Sequence, residues 1–264
     1  MQALSKGKRQ QLAALKQRKA RREQGLFVAE GALLIEEAFK AEVFPLYVVA
    51  CEELREGSEA AFGRVLEEAA HQGIEVFSAP RDEFDVAADT VNSQGMLAVF
   101  NLPVYDLDSM LSERELTLLV LDNVRDPGNL GTIVRHAAAF DCGGLLLTSG
   151  CVDAFNHKAV RASMGGIFHV PVFADLGPEQ IMESLARADV WPYVTARDGA
   201  NAFEIRYPPK TAFIIGGEAM GVQPFWDERE VIRVGIPQSG RIESLNAAVA
   251  AGIILAFRYQ SLNQ

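Results

Sequence analysis

Cysteine is scarce in this 264-residue chain, and the three present, Cys51, Cys142 and Cys151, form no CxxC pair. An odd, scattered set argues against a disulfide framework and a cysteine-ligated zinc site, and suits a reducing compartment. His71, His136, His157 and His169 show no metal-ligand spacing, so no metal is expected. No apolar run reaches the ~18 residues needed to span a membrane. The amino terminus lacks the apolar h-region of a signal peptide. These absences predict a cytoplasmic protein. Two glycine fingerprints are also missing. Without GxGxxG, a nicotinamide-dependent oxidoreductase is disfavoured; without Gly-Lys-Ser/Thr after a glycine-rich loop, so is a P-loop enzyme.

What is present is a globular composition, 49% apolar and 23% charged, on a chain long enough for one or two domains with a sizeable core. The net charge of −10 opposes a nucleic-acid partner, but its distribution does not. Between Lys6 and Arg22 stand eight basic residues and no acid: Lys6, Lys8, Arg9, Lys16, Arg18, Lys19, Arg21 and Arg22. Such an arm can supply phosphate contacts on an otherwise acidic protein. A solvated helix face is the plainer reading, and an organellar presequence a third, although serine is scarce there.

The first hundred residues mix helical and strand-like patterns. The spacing predicts helices over Ala29–Ala41 and Ala60–Gln72 and strands over Leu46–Ala50, Ile74–Phe77 and Met96–Phe100. The polar stretch Asn101–Glu113, which holds Pro103, reads as a linker. We therefore expect a domain over 1–103 and a second over 114–264. The second contains six apolar runs of strand length: Thr117–Leu121, Gly144–Thr148, His169–Phe173, Trp191–Ala196, Ala212–Ile215 and Val231–Ile236. Near-continuous apolar strands alternating with helices predict a parallel sheet covered on both faces.

Three loops follow such strands, where open α/β sheets place ligands. The first, Asp122–Gly131, leads into a helix expected from about Thr132 to Phe140, with Arg135 near its start and off its apolar stripe. The second is Gly216-Gly217-Glu218-Ala219-Met220-Gly221, whose glycines let backbone approach a ligand. The third, Gln238 to Asn246, precedes a helix in which Leu245, Val249, Ile253 and Phe257 form a core stripe, and Ala248, Gly252 and Ala256 a close-packing line. Each loop has an ordinary structural explanation. Glu218 can be a helix N-terminal carboxylate and Ser244 an N-cap.

In this order, however, the three loops resemble the SpoU (TrmH-like) family of the SPOUT superfamily, RNA 2′-O-ribose methyltransferases that use S-adenosylmethionine. Asn129-Leu130-Gly131-Thr132-Ile133-Val134-Arg135 is similar to the family's first motif, Gly216 to Gly221 to its second, and Ile236-Pro237-Gln238 through Glu243-Ser244-Leu245-Asn246 to its third. Asn156 to Gly165 fits a further family stretch, and Phe27-Val28-Ala29-Glu30-Gly31 resembles the start of a ribosomal-protein-like RNA-binding domain. Gln238 stands where methionine is common, and Ala247-Ala248 where a Val-Ser pair is common.

The resemblance implies a smaller amino-terminal α/β RNA-binding domain and a carboxyl-terminal, mostly parallel sheet with a deep trefoil knot. True knots are otherwise nearly absent from proteins. It also implies a homodimer with the active site at the subunit interface. Thr195, Gly216, Gly217, Ile236 and Leu245 would bind the cofactor. Asn129, Arg135, Glu218, Ser244 and Asn246 would be catalytic, and Lys158 and Arg161 would join the basic arm in contacting RNA. Ribosomal RNA is the first choice of substrate and transfer RNA the second. A non-catalytic RNA-binding protein of the same fold is the remaining alternative.

Overall fold

The computed structural model describes residues 1–54, 59–88, 93–217, 221–227 and 231–263. In chain order the first elements are β1 (Gln2–Ala3), α1 (Lys6–Ala14), α2 (Arg18–Gln24), β2 (Leu26–Glu30), α3 (Ala32–Lys40) and β3 (Tyr47–Ala50). Next come α4 (Glu59–His71), β4 (Glu75–Ser78), α5 (Arg81–Ala87), β5 (Met96–Asn101), α6 (Leu107–Leu111), β6 (Leu116–Asp122), α7 (Pro127–Ala139) and β7 (Gly144–Thr148). The chain continues through α8 (His157–Ala162), β8 (Val172–Leu176), α9 (Pro178–Arg187) and β9 (Trp191–Asn201). It ends with β10 (Lys210–Gly216), α10 (Pro224–Asp227), β11 (Ile232–Gly235) and α11 (Ala247–Leu262). Contacts divide it into two compact units, 1–104 with 155–168, and 105–154 with 169–264.

The first unit is built on a five-stranded sheet of order β1-β4-β3-β5-β2, with β2 and β3 antiparallel to β5 and the other pairs parallel. Sequence periodicity extended the helix of α3 back through Ala29 and Glu30. In fact Leu26–Glu30 is a strand, pairing Val28 with Val99 and Ala29 with Ala98. Alanine and glutamate are good helix formers, and non-local pairing overrides that local preference. Gly25 sets the boundary, ending α2 in the left-handed conformation at φ 66°. The basic arm is not a free tail. Leu4, Leu12 and Leu15 are buried in one core with Val28, Tyr47, Val49 and Phe77. On another side, the Phe27 ring packs against Phe100 at 5.4 Å, Phe155 at 5.0 Å and Phe168 at 6.2 Å between centroids.

The second unit carries a six-stranded sheet, parallel throughout, of order β11-β9-β10-β6-β7-β8. All six expected strands are present, with β8 displaced about three residues toward the carboxyl terminus from its predicted start. Leu118, Val120, Leu146, Val194 and Ile214 face one core with Ile181, Leu185 and Trp226. Leu119, Leu121, Leu145, Leu147 and Phe213 are buried as well. A sheet covered on both faces explains why its strands read as unbroken apolar runs. From β6 the chain moves outward through β7 and β8, then crosses to β9 on the other side of β6, so β6 and β10 flank a switch point. After edge strand β11 it returns, and α11 packs on α7 and β10.

The expected stripe on α11 is corrected. Ala247, Ala251, Ile254, Leu255 and Arg258 are buried, whereas Val249 is 48% exposed and Ile253 and Phe257 are half-buried. The helix is apolar nearly all round, so periodicity offers no polar face for contrast. The small-residue line does serve close packing: a Cβ on Gly252 would sit 2.7 Å from His136 Nδ1 of α7.

Truncating a fully enclosed aromatic removes both transfer energy and packing. Phe27→Ala is expected to destabilise the protein by about 3–5 kcal/mol, read as a lower midpoint in urea unfolding.

Candidate active site

A parallel sheet brings all its carboxyl-terminal strand ends to one edge, so loops distant in sequence converge. There a cavity of about 260 Å³ opens, near the lower end, about 300 Å³, of ordinary small-molecule sites. Thr195, Ala196 and Arg197 of β9 form one wall. Ile215, Gly216, Gly217, Gly221 and Val222, at and beyond the end of β10, form a second. Val234 of β11 and then Ile236, Gln238, Glu243, Ser244 and Leu245 form the third, closed by Ala247 and Ala250 of α11. Thus Thr195, Gly216, Gly217, Ile236 and Leu245 meet in one place, with Ser244 beside them. Glu218 lies outside the described residues.

The first wall is an irregular piece of strand. Pairing between β11 and β9 steps from Arg233↔Val194 to Val234↔Ala200, leaving 195–199 as a bulge over the cavity. Gly199 makes this possible, because a Cβ there would lie 2.4 Å from the carbonyl carbon of Val234. Thr195 Oγ1 donates to the Ile214 carbonyl at 2.9 Å, which fixes the bulge to β10. Arg233 and Asp198 pair at 2.7 Å, and the guanidinium holds the Asp198 carboxyl below its ordinary value.

The second wall hangs on Asp122, the last residue of β6 and fully buried. Its carboxylate accepts from the Gln223 backbone N–H at 2.5 Å, Trp226 Nε1 at 3.0 Å and Thr148 Oγ1 at 3.1 Å. Gln223 Nε2 donates to it as well. The Asp122 carbonyl accepts from Gly217 N–H at 2.8 Å, and a Cβ on Gly217 would lie 2.3 Å from the Asn123 carbonyl oxygen. Both ends of the second loop are therefore fixed to the end of β6. Sequence reasoning did not assign Asp122 a part. Its signal was a carboxylate closing a buried apolar run, which must find donors inside.

The first motif is helix, not loop. The helix expected from about Thr132 begins at Pro127, because Asp126 caps it by accepting from Asn129 N–H at 2.8 Å and Pro127 occupies its first turn. Arg135 consequently lies on its ninth residue, not near its start. It is exposed, does not line the cavity, and has no hydrogen-bond or ion-pair partner among the described residues. Asn129 meets Asn246, whose Nδ2 donates to its Oδ1 at 3.0 Å. Asn246 also caps α11, its Oδ1 accepting from Ala248 N–H at 2.9 Å and Val249 N–H at 3.2 Å. The N-cap considered for Ser244 is thus Asn246, two residues later, and Ser244 is exposed at the cavity.

This arrangement meets its counterpart in known proteins. The sequence matches the SpoU rRNA Methylase family over residues 116–256, more than half of the chain. The chain belongs to that family. Residues 8–98 match the MRM3-like substrate binding domain. RlmP of Bacillus subtilis, named a 23S rRNA (guanosine(2553)-2′-O)-methyltransferase, is 33% identical over 239 residues, or 90% of each chain. An AdoMet-bound rRNA methyltransferase from Sinorhizobium meliloti superposes with a TM-score of 0.84 at 27% identity, covering 99% of this chain and 97% of that one. The SpoU methyltransferase AviRb from Streptomyces viridochromogenes, solved with the cofactor AdoMet, gives 0.83 at 25% identity, with 98% and 99% covered.

Set in this SpoU chain, the basic residues of the first unit divide by use. Lys8 Nζ lies over the Tyr47 ring at 3.8 Å, Arg9 pairs with Glu83, and Lys16 donates to the Ala88 carbonyl at 2.7 Å. Arg21 is buried and donates to the carbonyls of Leu15 and Lys16. Arg18 is half-buried, and Lys6, Lys19 and Arg22 are exposed. Lys158 and Arg161 are both exposed, one helical step apart on α8.

Asp122→Ala strips acceptors from several buried donors, each left at a cost of about 1–3 kcal/mol. A loss of stability of at least about 3 kcal/mol is expected, with a urea midpoint that falls at unchanged slope.

Proposed function

We propose that this chain is an S-adenosylmethionine-dependent RNA 2′-O-ribose methyltransferase acting on ribosomal RNA. The observation that carries the reading is the cavity at the carboxyl-terminal ends of β9, β10 and β11, where the five residues expected to bind the cofactor converge. The lining fits that group. Glycine backbone at Gly216 and Gly217 and apolar side chains at Ile236 and Leu245 suit a neutral adenosine, and among the described lining residues no cluster of cations awaits a phosphate. Relatives named as 23S rRNA 2′-O-methyltransferases support the substrate class. The absence, among the described residues, of a helix able to cross a membrane and the burial of all three free cysteines accord with a cytoplasmic enzyme.

When bound, the cofactor supplies a methyl group already activated on a sulfonium. The protein's task is then to hold the ribose hydroxyl in line and ease loss of its proton. Arg135 is unsuited to be the base, since a guanidinium does not give up its proton in proteins. It clamps the adjoining phosphate and stabilises developing alkoxide charge. Ser244, exposed at the cavity, orients the hydroxyl, and Glu218 keeps the assignment the family motif gives it. Asn129 and Asn246 hold the first and third motifs together.

Arg135 stands outside the lining of its own cavity. A homodimer in which one protomer's Arg135 serves its partner's cavity resolves this, and α11, with Val249 exposed and Ile253 and Phe257 half-buried, supplies an apolar face for the contact. The trefoil knot implied by the resemblance belongs to the same reading. Its support is the return of α11 from the sheet edge onto α7 and β10.

The test is transfer of tritiated methyl to ribosomal RNA, followed by mapping of ribose methylation. Arg135→Ala and Ser244→Ala are each expected to lose most activity, and mixing the two variants to restore about a quarter of wild-type turnover per total protein, as random pairing of subunits requires. Two inactive variants that fail to complement would remove the shared site.

The basic surface is tested separately, since deleting residues 1–22 would also remove the buried Leu4, Leu12 and Leu15. Replacing the exposed Lys6, Lys19 and Arg22 with Gln should weaken RNA binding and flatten the slope of log K against log salt by up to about 2.

A further inference from the structure

The described lining of the cavity carries only two charges, Arg197 and Glu243, one of each sign. Both residues are exposed, so they stand at the rim rather than on the floor. The floor is different: Val234 is fully buried, and Ile215 and Ala247 nearly so. A ligand that fills this space should therefore have an uncharged body and a zwitterionic end.

The backbone that carries Arg197 is held in place. Arg197 sits in the 195–199 bulge, whose backbone is anchored on each side. Before it, Thr195 donates to the Ile214 carbonyl at 2.9 Å. Also before it, the Ala196 carbonyl approaches Gly235 closely, and after it Gly199 lies flat against Val234. The nearest acid in sequence, Asp198, is engaged by Arg233 at 2.7 Å. That pairing leaves the Arg197 charge without a neutralising neighbour on its own bulge.

S-adenosylmethionine has such a division, with a neutral adenosine and an amino-acid tail bearing a carboxylate and an ammonium, joined at the sulfonium. We infer that Arg197 recognises the carboxylate of that tail and that Glu243 faces its ammonium group. This rests on the cofactor reading given above. A guanidinium presents paired N–H donors that match a carboxylate, and such charge-assisted bonds are the strong ones. Arg197 is thus a specificity residue for the tail, while the glycine loops and apolar floor hold the nucleoside.

Two ligands separate these contributions. S-adenosylhomocysteine keeps the tail and 5′-methylthioadenosine lacks it. Binding of each to the full-length protein is measured by titration calorimetry, without turnover. Arg197→Ala should weaken S-adenosylhomocysteine about tenfold or more and leave methylthioadenosine unchanged. Arg197→Lys should fall between wild type and Ala, and Glu243→Gln should show the same selectivity for the tailed ligand. Equal losses for both ligands, or undiminished S-adenosylhomocysteine binding in Arg197→Ala, would overturn the inference. Wild-type protein that binds neither ligand would remove the cofactor reading itself, and this assignment with it.

Discussion

A fully buried carboxylate is an expensive thing to place at the end of a central strand, and Asp122 is tolerable only because donors surround it. Those donors come from β7, from Gln223 and from Trp226, so one side chain collects segments up to 104 residues apart in sequence. The desolvation of Asp122 sets a strong condition on the fold: the chain beyond β10 must return to β6. The loop with Gly216 and Gly217 is shaped by that return. So is the second wall of the cavity, which that loop forms.

Around this fixed point the second unit combines regular and irregular backbone. The strands are ordinary parallel strands. The ligand surface is made where regularity fails, at the bulge of β9, the glycine turn after β10 and the uncoiled stretch between β11 and α11. Two of these irregularities, the bulge and the glycine turn, are locked by backbone contact that excludes a side chain, at Gly199 and Gly217.

Much of this was legible in the residues. Six apolar runs became the six strands of the second sheet, and the five residues assigned to the cofactor line one cavity. What was not legible depended on partners remote in sequence. Leu26–Glu30 carries a helix-compatible pattern, and only β5 makes it a strand. The bulge of β9 is a mismatch of register with β11, and register is not encoded locally. The burial of α11 could not be read from a helix without a polar face. The start of α7 is encoded locally, since Asp126-Pro127 is a cap followed by a first-turn proline. The basic arm misled through composition, since charge counts do not reveal that Leu12 and Leu15 between the lysines are core.

Asn246 explains why an amide stands at that position. Aspartate would cap α11 as well but has no proton to give Asn129, and serine or threonine has too short a reach to serve both. Turning the amide over would set its NH₂ against two backbone N–H groups, so the orientation is chemically determined. The chain Asp126, Asn129, Asn246 is thereby a relay joining the amino-terminal ends of α7 and α11. Displacement of either helix end reaches the other through one hydrogen bond, which makes the two motifs a single mechanical element.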